Sequence, residues 1–210
     1  MKVSELIERL EYRLIKGNTD EEVTGISFDN RTVEEGNVFV CIQGVYFDTH
    51  DVICDIADKK PSVIVVSDRW ASSKTSQDID GIPANIVCVD DTRIAKACVS
   101  AAWYGYPSEK MTVIGVTGSK GKTTTSHMIW SILSEAGLDA GMVGTTGGHI
   151  GDEDIHFGTT TPDSDKMQEF LSTMVEKSCK YAVIEVSSQG LKLHRTDYID
   201  FDYGDRKSVV

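Results

Sequence analysis

A glycine-rich turn between an apolar run and a helical pattern constrains this chain more than any other feature. The apolar run Met111–Val116 leads into Gly118-Ser-Lys-Gly-Lys-Thr123. Four apolar residues then recur at helical spacing, namely Met128, Ile129, Ile132 and Leu133. A strand, a glycine-rich loop and a helix start in this order are typical of a phosphate site, because the free N–H groups of the helix start point at the anion. We therefore predict a nucleoside triphosphate site here.

The chemistry of this loop depends on Lys122 and Thr123. Lys122 would reach the terminal phosphates, and the Thr123 hydroxyl would bind Mg²⁺. The spacing departs from the common P-loop, because Gly115 lies one residue too far from Gly121. The alternative is a plain Gly/Ser turn between a strand and a helix, but the flanking strand and helix patterns favour the phosphate loop.

Composition and charge exclude several classes of protein. The 210 residues are 40% hydrophobic and 26% charged, which is typical of a globular protein of one or two domains. The net charge of −12 argues against a general nucleic-acid binder, which needs a basic face to pair with phosphates. We expect no nucleic-acid partner. Positive potential for a nucleotide must then be local.

The remaining composition predicts an ordinary cytosolic protein. Five cysteines are scattered without a C-x-x-C pair, and three lie in apolar runs, so we expect buried free thiols. The histidines show no metal-ligand spacing. Glu5, Glu8 and Glu11 interrupt any signal-peptide core, and no apolar run approaches the ~20 residues that span a bilayer. We therefore expect a cytoplasmic location and no membrane insertion.

The first half predicts a small α/β domain. Leu6, Leu10 and Leu14 recur at helical spacing over residues 3–16, and the polar stretch 68–81 is predicted as a loop. The other predicted helices are Asp51–Lys59 and Thr92–Tyr104, and the predicted strands are Thr24–Phe28, Val38–Ile42, Val63–Ser67 and Asn85–Val89. Pro107 ends the last helical pattern, so we place the domain boundary between 107 and 108.

The second half alternates strand and helix. The predicted strands are Met111–Val116, Ala140–Gly144 and Tyr181–Val186, and the predicted helices are Thr123–Ala136 and Asp163–Lys177. An irregular glycine-rich stretch runs from residue 145 to Pro162. This alternation predicts an α/β fold with a mostly parallel sheet covered by helices.

A second candidate site follows the apolar run that begins at Tyr181. Glu185, Ser187 and Ser188 would lie at the carboxyl edge of a parallel sheet, where ligands bind in open α/β folds. A lone Glu at a strand end is usually solvated, but beside a phosphate loop it could hold Mg²⁺, which takes one or two carboxylates plus phosphate oxygens. We therefore predict Thr123 and Glu185 as metal-binding residues.

Two weaker candidates, Thr159–Thr161 and Arg195, leave two interpretations each. Asp163 would cap the following helix, whereas Thr159–Thr161 would either form a plain turn or bind a polar substrate. Arg195 would either clamp an anionic group or be an exposed surface arginine. Ser27–Gly36 is a turn by its composition alone.

Together these pieces resemble the Mur ligases of peptidoglycan biosynthesis, and among them the E type, which acts on UDP-N-acetylmuramoyl-L-alanyl-D-glutamate. The loop Gly115–Thr125 is similar to that family's Gly-Val-Thr-Gly-Thr-Asn-Gly-Lys-Thr-Thr-Thr, with the same offset from the common P-loop. Thr160–Asp163 and Glu185–Ser188 match its central signatures in order and spacing, and Arg195 follows them.

The first half carries the resemblance as well. The segment from Asp29 to Val40 follows the family pattern Asp-Ser-Arg-x-Val-x-x-Gly-x-x-Phe-Val, and Gly44 with Asp48 follows its next turn. The resemblance therefore runs from about Ser27 to Gly204. It implies a UDP-substrate-binding domain at 1–107 and a truncated ATP-binding domain at 108–204.

The resemblance implies an ATP-dependent ligase that joins an amino acid to a UDP-linked dipeptide through an acyl phosphate. Its cofactors would be ATP and Mg²⁺, and its catalytic residues Lys122 and Glu185. The implied ATP-binding residues are Gly118, Ser119, Lys120, Gly121, Lys122, Thr123 and Thr124. The implied substrate-binding residues are Phe28 and Asn30 at the uridine end, and Thr160, Thr161, Ser187 and Arg195 at the sugar–peptide end.

Several positions depart from the family pattern, and the largest departure is the end of the chain. Asn30, Thr49, Lys120 and Gln189 replace the usual Ser, Gly, Asn and His, and none of these exchanges removes an indispensable group. After Gly204 the family continues through the rest of its sheet and a domain for the amino acid. Residues 205–210 fit no family pattern, so we expect a non-native tail on an incomplete, inactive fragment.

Two further functions stay open. One is a nucleotide-binding module without ligase activity, and the other is a related ligase of the folylpolyglutamate or cyanophycin synthetase type. The uridine-type first domain argues against both, through the resemblance alone.

Overall fold

The structure is a computed structural model that describes residues 1–207. The chain divides into two compact units, Met1–Trp103 and a second one from Tyr104 onward. This division falls a few residues before the boundary predicted after Pro107. Among the described residues, each unit contains one sheet, and buried apolar residues form a cluster in the first unit and two in the second.

The first unit is a five-stranded sheet in the order β1-β5-β4-β3-β2. β2 to β5 run parallel, and β1 is antiparallel at the edge. Val and Ile fill β4 and β5 because both faces of these strands are covered. The strands are β1 Arg13–Lys16, β2 Gly25–Ser27, β3 Asn37–Val40, β4 Val63–Ser67 and β5 Ile86–Val89. The helices are α1 Val3–Leu6, a 3-10 turn Thr49–Val52, α2 Ile53–Ala57, α3 Asp68–Ala71, α4 Ser76–Asp80 and α5 Thr92–Trp103.

Two predictions in the first unit are wrong. The helix expected over residues 3–16 ends at Leu6, and Leu14 lies in β1, where Arg13 and Leu14 pair with β5. Ladder hydrogen bonds to a neighbouring strand outweighed the weak helical pattern. The expected loop 68–81 contains α3 and α4, which begin at the capping hydroxyls of Ser67 and Thr75.

The second unit is a six-stranded sheet in the order β11-β6-β10-β7-β8-β9. β11, β6, β10 and β7 run parallel, which confirms the predicted mostly parallel sheet. The strands are β6 Thr112–Gly118, β7 Ala140–Gly144, β8 Gly147–Ile150, β9 Glu153–Ile155, β10 Tyr181–Glu185 and β11 Tyr203–Lys207. The helices are a 3-10 turn Pro107–Lys110, α6 Lys122–Glu135, α7 Ser164–Glu176 and α8 Ser188–Lys192.

The glycine-rich stretch after β7 is more ordered than predicted. It forms the antiparallel hairpin β8–β9, which extends the sheet beyond β7. Gly147 has φ +117°, and a side chain there would collide with the Ile155 carbonyl. Glycine is depleted in ordinary strands, so the glycine-rich composition of this stretch predicted an irregular segment. The hairpin requires glycine at this position because its two backbones approach closely there.

Helix α6 buries only part of its predicted apolar stripe. Ile129 and Leu133 pack with Trp130 against the sheet. Met128 is 60% exposed and Ile132 is 66% exposed, so only two of the four apolar residues at helical spacing pack against the sheet.

Residues 203–207 form the edge strand β11 beside the phosphate-loop strand. Asp205 pairs with Val116, and Lys207 pairs with Gly118. This pairing covers the first half of the predicted non-native tail and does not test its origin. Residues 208–210, the other half of that tail, lie outside the described residues.

The cysteines and the helices bear on two further expectations. All five cysteines are free, and four are buried, whereas Cys54 is exposed. Burial raises the pKa of the Cys41 thiol far above its ordinary value. Across residues 1–207, no helix has both the length and the apolar character that crossing a membrane requires.

The leucines of the second unit offer a matched test of its core. Leu171 is fully buried on α7, whereas Leu191 is 52% exposed on α8. Leu171→Ala should lower the free energy of unfolding by about 2–5 kcal/mol, and Leu191→Ala by less than about 0.5 kcal/mol. Urea denaturation followed by circular dichroism measures both. Equal losses in the two variants would contradict the placement of α7 on the core.

Candidate active site

The phosphate loop has the local structure that the sequence predicts. Strand β6 ends at Gly118, the loop turns through residues 119–121, and α6 begins at Lys122. Gly118 has φ +140° and Gly121 has φ +82°, conformations that favour glycine. The free N–H groups of the α6 start therefore face the carboxyl edge of the sheet, as an anion site requires.

The Lys122 ammonium folds back over this loop. Its Nζ donates a hydrogen bond to the Gly118 carbonyl oxygen at 2.8 Å. This contact holds a positive charge within the turn. Ser119, Lys120 and Thr124 are exposed along the same loop and at the first turn of α6.

Glu185 lies against the phosphate loop. It ends β10, where it pairs with Val116 of β6, and it is fully buried. Its carboxylate accepts four hydrogen bonds, from the hydroxyls of Thr123, Ser126 and Thr145 and from the Thr145 backbone N–H. The alternative of a solvated strand-end carboxylate is therefore wrong.

The threonine-rich turn is tied to the same strand end. The buried Thr161 hydroxyl donates to the Glu185 carbonyl oxygen at 2.9 Å and accepts from the Ser187 backbone N–H at 3.0 Å. The Ser187 hydroxyl lies 3.0 Å from the Thr161 hydroxyl and caps α8. The Thr160 hydroxyl lies 3.0 Å from the Thr145 hydroxyl. The turn therefore packs beside the Glu185 carboxylate.

Arg195 is anchored to this turn and is not an exposed surface arginine. Its guanidinium donates to the Thr161 carbonyl oxygen at 2.8 Å and pairs with the Asp163 carboxylate at 2.8 Å. Asp163 does occupy the N-cap position of α7, but among the described residues its side chain makes no capping hydrogen bond. The capping role predicted for that side chain is therefore wrong.

The two predicted uridine-site residues lie in the first unit, directly after β2. The Lys96 ammonium lies 4.9 Å from the centroid of the Phe28 ring, and the Lys59 ammonium donates to the Asn30 carbonyl oxygen at 2.6 Å. Two cationic side chains therefore approach this turn, at the carboxyl edge of the parallel strands.

Sequence reasoning missed Ser126, Gly144 and Thr145. Ser126 and Thr145 donate to Glu185, and a side chain at Gly144 would collide with the Glu185 Oε1 atom. Ser126 lies in a hydroxyl-rich run at the start of α6, and Thr145 follows β7 at the carboxyl edge. The strand-end rule could therefore have found Thr145.

Comparison with known proteins shows the family of this chain. Residues 116–205 match the family described as "Mur ligase middle domain". The UDP-N-acetylmuramoyl-L-alanyl-D-glutamate--2,6-diaminopimelate ligase of Clostridium perfringens is 37% identical over 204 residues, which are 97% of this chain and 40% of that protein. The chain belongs to the Mur ligase family.

Other relatives of this Mur ligase chain carry the same name. The ligase of Caldanaerobacter subterraneus is 37% identical over 96% of this chain and 40% of that protein. A solved structure of a UDP-N-acetylmuramoyl-L-alanyl-D-glutamate--2,6-diaminopimelate ligase shares the fold, with a TM-score of 0.75 at 21% identity over 98% of this chain and 40% of that one. The chain thus spans about 40% of the length of the relatives it matches.

The oxygen ligands offered by Glu185 and its neighbour Thr123 suit a hard divalent cation. One carboxylate and one threonine hydroxyl lie together beside the phosphate loop, at 3.0 Å from each other. Over residues 1–207, no group of three or more His, Cys, Asp or Glu side chains could hold a metal ion. A site with few protein ligands suits Mg²⁺, which takes most of its oxygens from phosphate and water.

Thr161 offers a test of the bracing at this strand end, by which we mean the hydrogen bonds of its hydroxyl with the Glu185 carbonyl oxygen and the Ser187 N–H. Thr161→Val leaves the Glu185 carbonyl and the Ser187 N–H without their partner, so the free energy of unfolding should fall by about 1–3 kcal/mol. Thr161→Ser keeps the hydroxyl and is the matched control, with a loss of about 1 kcal/mol or less. Equal stability of the Val variant and the wild type in urea denaturation would contradict the bracing.

Asp29 offers a pH test in the first unit. Hydrogen bonds from the Arg31 side chain and then from its backbone N–H lower the pKa of Asp29 from 3.8 to about 2. The folded-state pKa is depressed, so any stabilisation exists above pH 4 and is lost as the pH falls toward 2. Arg31→Gln should raise the pKa of Asp29, yet leave it below its ordinary value because the backbone bond remains. An NMR titration of the Asp29 carboxyl that still gave a pKa near 2 would contradict this.

Proposed function

We propose that this chain is the substrate-binding and ATP-binding part of a ligase that joins an amino acid to UDP-N-acetylmuramoyl-L-alanyl-D-glutamate in peptidoglycan biosynthesis. The observation that carries the proposal is the buried Glu185 carboxylate beside Thr123 of the phosphate loop. The names of the relatives supply the substrate, and each includes 2,6-diaminopimelate, which we take as the amino acid.

The proposed reaction has two steps. An oxygen of the D-glutamyl carboxylate attacks the γ-phosphorus of ATP, and ADP leaves, which gives an acyl phosphate. The amine of the amino acid then attacks the acyl carbon, inorganic phosphate leaves, and the amide forms. The first step requires the D-glutamyl carboxylate and the triphosphate, both anionic, to be held close together and in line. The protein therefore contributes positioning and stabilisation of negative charge.

The ATP end of the site would lie on α6. We assign ATP binding to Gly118–Thr124, with the Lys122 ammonium moving from the Gly118 carbonyl to the transferred phosphoryl group. Thr123 and Glu185 would hold Mg²⁺, directly or through water. Mg²⁺ supplies charge neutralisation on the phosphate oxygens.

The remaining candidate residues are assigned to parts of the UDP-linked substrate, separately in each unit. We assign the uridine end to Phe28 and Asn30, and the sugar–peptide end to Thr160, Ser187 and Arg195. Thr161 is fully buried, so its part in this proposal is to hold Ser187 and Arg195 in place.

Binding of a nucleotide to this chain tests the ATP site. The chain should bind the ATP analogue AMP-PNP in the presence of Mg²⁺, and Lys122→Ala should weaken binding at least tenfold because a charge-assisted contact to phosphate is lost. Lys180→Ala is the matched control, since Lys180 is exposed and directly precedes β10, at the opposite end of that strand from Glu185. Isothermal titration calorimetry measures all three proteins. Equal affinity of wild type and Lys122→Ala would contradict the assignment.

We propose the ligase activity for a protein of the relatives' full length, of which this chain spans about 40%. ATP cleavage by that protein should require both UDP-N-acetylmuramoyl-L-alanyl-D-glutamate and an amino acid, with 2,6-diaminopimelate as the first to test against lysine. Release of phosphate in the absence of either substrate would contradict the proposal and would favour a nucleotide-binding protein of another activity.

A further inference from the structure

Ser126 is a fully buried hydroxyl on the first turns of α6, three residues after Thr123. Its Oγ lies 3.2 Å from the Glu185 Oε1 atom and 3.0 Å from the Thr123 carbonyl oxygen. A serine hydroxyl has one proton, so these two acceptors compete for it. A hydrogen bond to a carboxylate is about twice as strong as one to a neutral acceptor, which favours Glu185.

The two oxygens of the Glu185 carboxylate have different partners. Oε1 accepts from Ser126 and from the Thr145 backbone N–H at 3.3 Å. Oε2 accepts from the hydroxyls of Thr123 at 3.0 Å and Thr145 at 3.1 Å. Only Oε2 therefore lies beside the threonine that the phosphate loop offers to a metal ion.

Gly144 lies beside Oε1. A side chain at Gly144 would collide with Oε1, so the absence of a side chain there leaves room for the carboxylate. The donors and the missing side chain together restrict the carboxylate to one orientation.

We propose that Ser126 is a positioning residue that anchors Oε1 of Glu185 and thereby presents Oε2 to the Mg²⁺ of the bound nucleotide. This inference rests on the proposed function, because it assigns the role of Ser126 in that same site. Ser126 acts through Glu185 and touches neither the metal ion nor the phosphates.

A positioning role of Ser126 affects the Mg²⁺ dependence of AMP-PNP binding but not the affinity for AMP-PNP without Mg²⁺. A merely structural role would change both. Loss of a residue that orients a metal ligand typically weakens metal binding by about 10–100-fold. Ser126→Ala should therefore raise the Mg²⁺ concentration needed for half-maximal AMP-PNP binding by about tenfold or more. Its affinity for AMP-PNP in EDTA should stay within about twofold of the wild type, because the phosphate loop itself is unchanged.

The experiment is a calorimetric titration of this chain with AMP-PNP at a series of Mg²⁺ concentrations and in EDTA. Ser100→Ala is the matched control, since Ser100 is a fully buried serine on α5 whose Oγ has no hydrogen-bond partner among the described residues. Ser100→Ala should leave both affinities unchanged. Ser126→Cys keeps a side chain of similar size but donates weakly, so it serves if the Ala variant fails to fold.

Glu185→Gln tests whether Ser126 acts through the carboxylate. In that background, Ser126→Ala should change the Mg²⁺ requirement less than about twofold, because coupled residues do not contribute independently. The same tenfold effect in both backgrounds would overturn the proposal.

The remaining outcomes are also decisive. An unchanged Mg²⁺ requirement in the Ser126 variants, with Mg²⁺-dependent binding by the wild type, would overturn the role of Ser126 and leave the proposed function intact. Equal weakening of AMP-PNP binding with and without Mg²⁺ would overturn the positioning role. Ser126 would then act structurally, through its hydrogen bond to the Thr123 carbonyl oxygen. A wild-type chain without Mg²⁺-dependent binding would overturn both proposals.

Discussion

The buried carboxylate of Glu185 is the constraint on which the rest of the second unit depends. A charged group without exposure is tolerated only when donors surround it, because desolvation costs several kcal/mol. Here the donors come from α6 and from the turn after β7, while the Glu185 backbone carbonyl is bound by Thr161. The phosphate loop, the end of β7 and the threonine-rich turn are therefore held in one arrangement by a single residue at the end of β10.

The parallel sheet places these groups together without any side chain having to reach far. β10 lies between β6 and β7, so the loops after these three strands come together at the carboxyl edge. The first unit repeats this arrangement at its own carboxyl edge, where Phe28 and Asn30 follow β2. Acidic composition and local positive charge are compatible, because Lys122 and the α6 start provide the positive potential only at the loop.

The parts of the fold that the sequence predicts best are those with strong local patterns. β6, the glycine loop and α6 were predictable because an apolar run, two glycines and a helical pattern follow one another. Leu14 was not, because only long-range pairing with β5 distinguishes an edge strand from a helical turn. The β8–β9 hairpin was not predictable for a related reason. Its glycines are required by close contact between the two backbones, and in the sequence a run of glycines indicates a loop. Within the site, Glu185 was predictable from its strand end, whereas Ser126 was not, because its position in a hydroxyl-rich run says nothing about which hydroxyl faces the sheet.

The central claim is that a divalent cation and a triphosphate share the site between α6 and the end of β10. Paramagnetic broadening tests it most directly, with Mn²⁺ in place of Mg²⁺ and AMP-PNP bound to the isotope-labelled chain. The account predicts that the amide signals of Thr123, Thr145 and Glu185 broaden first among those of the second unit. Broadening that spares these three residues, or that is centred elsewhere in the chain, would contradict it.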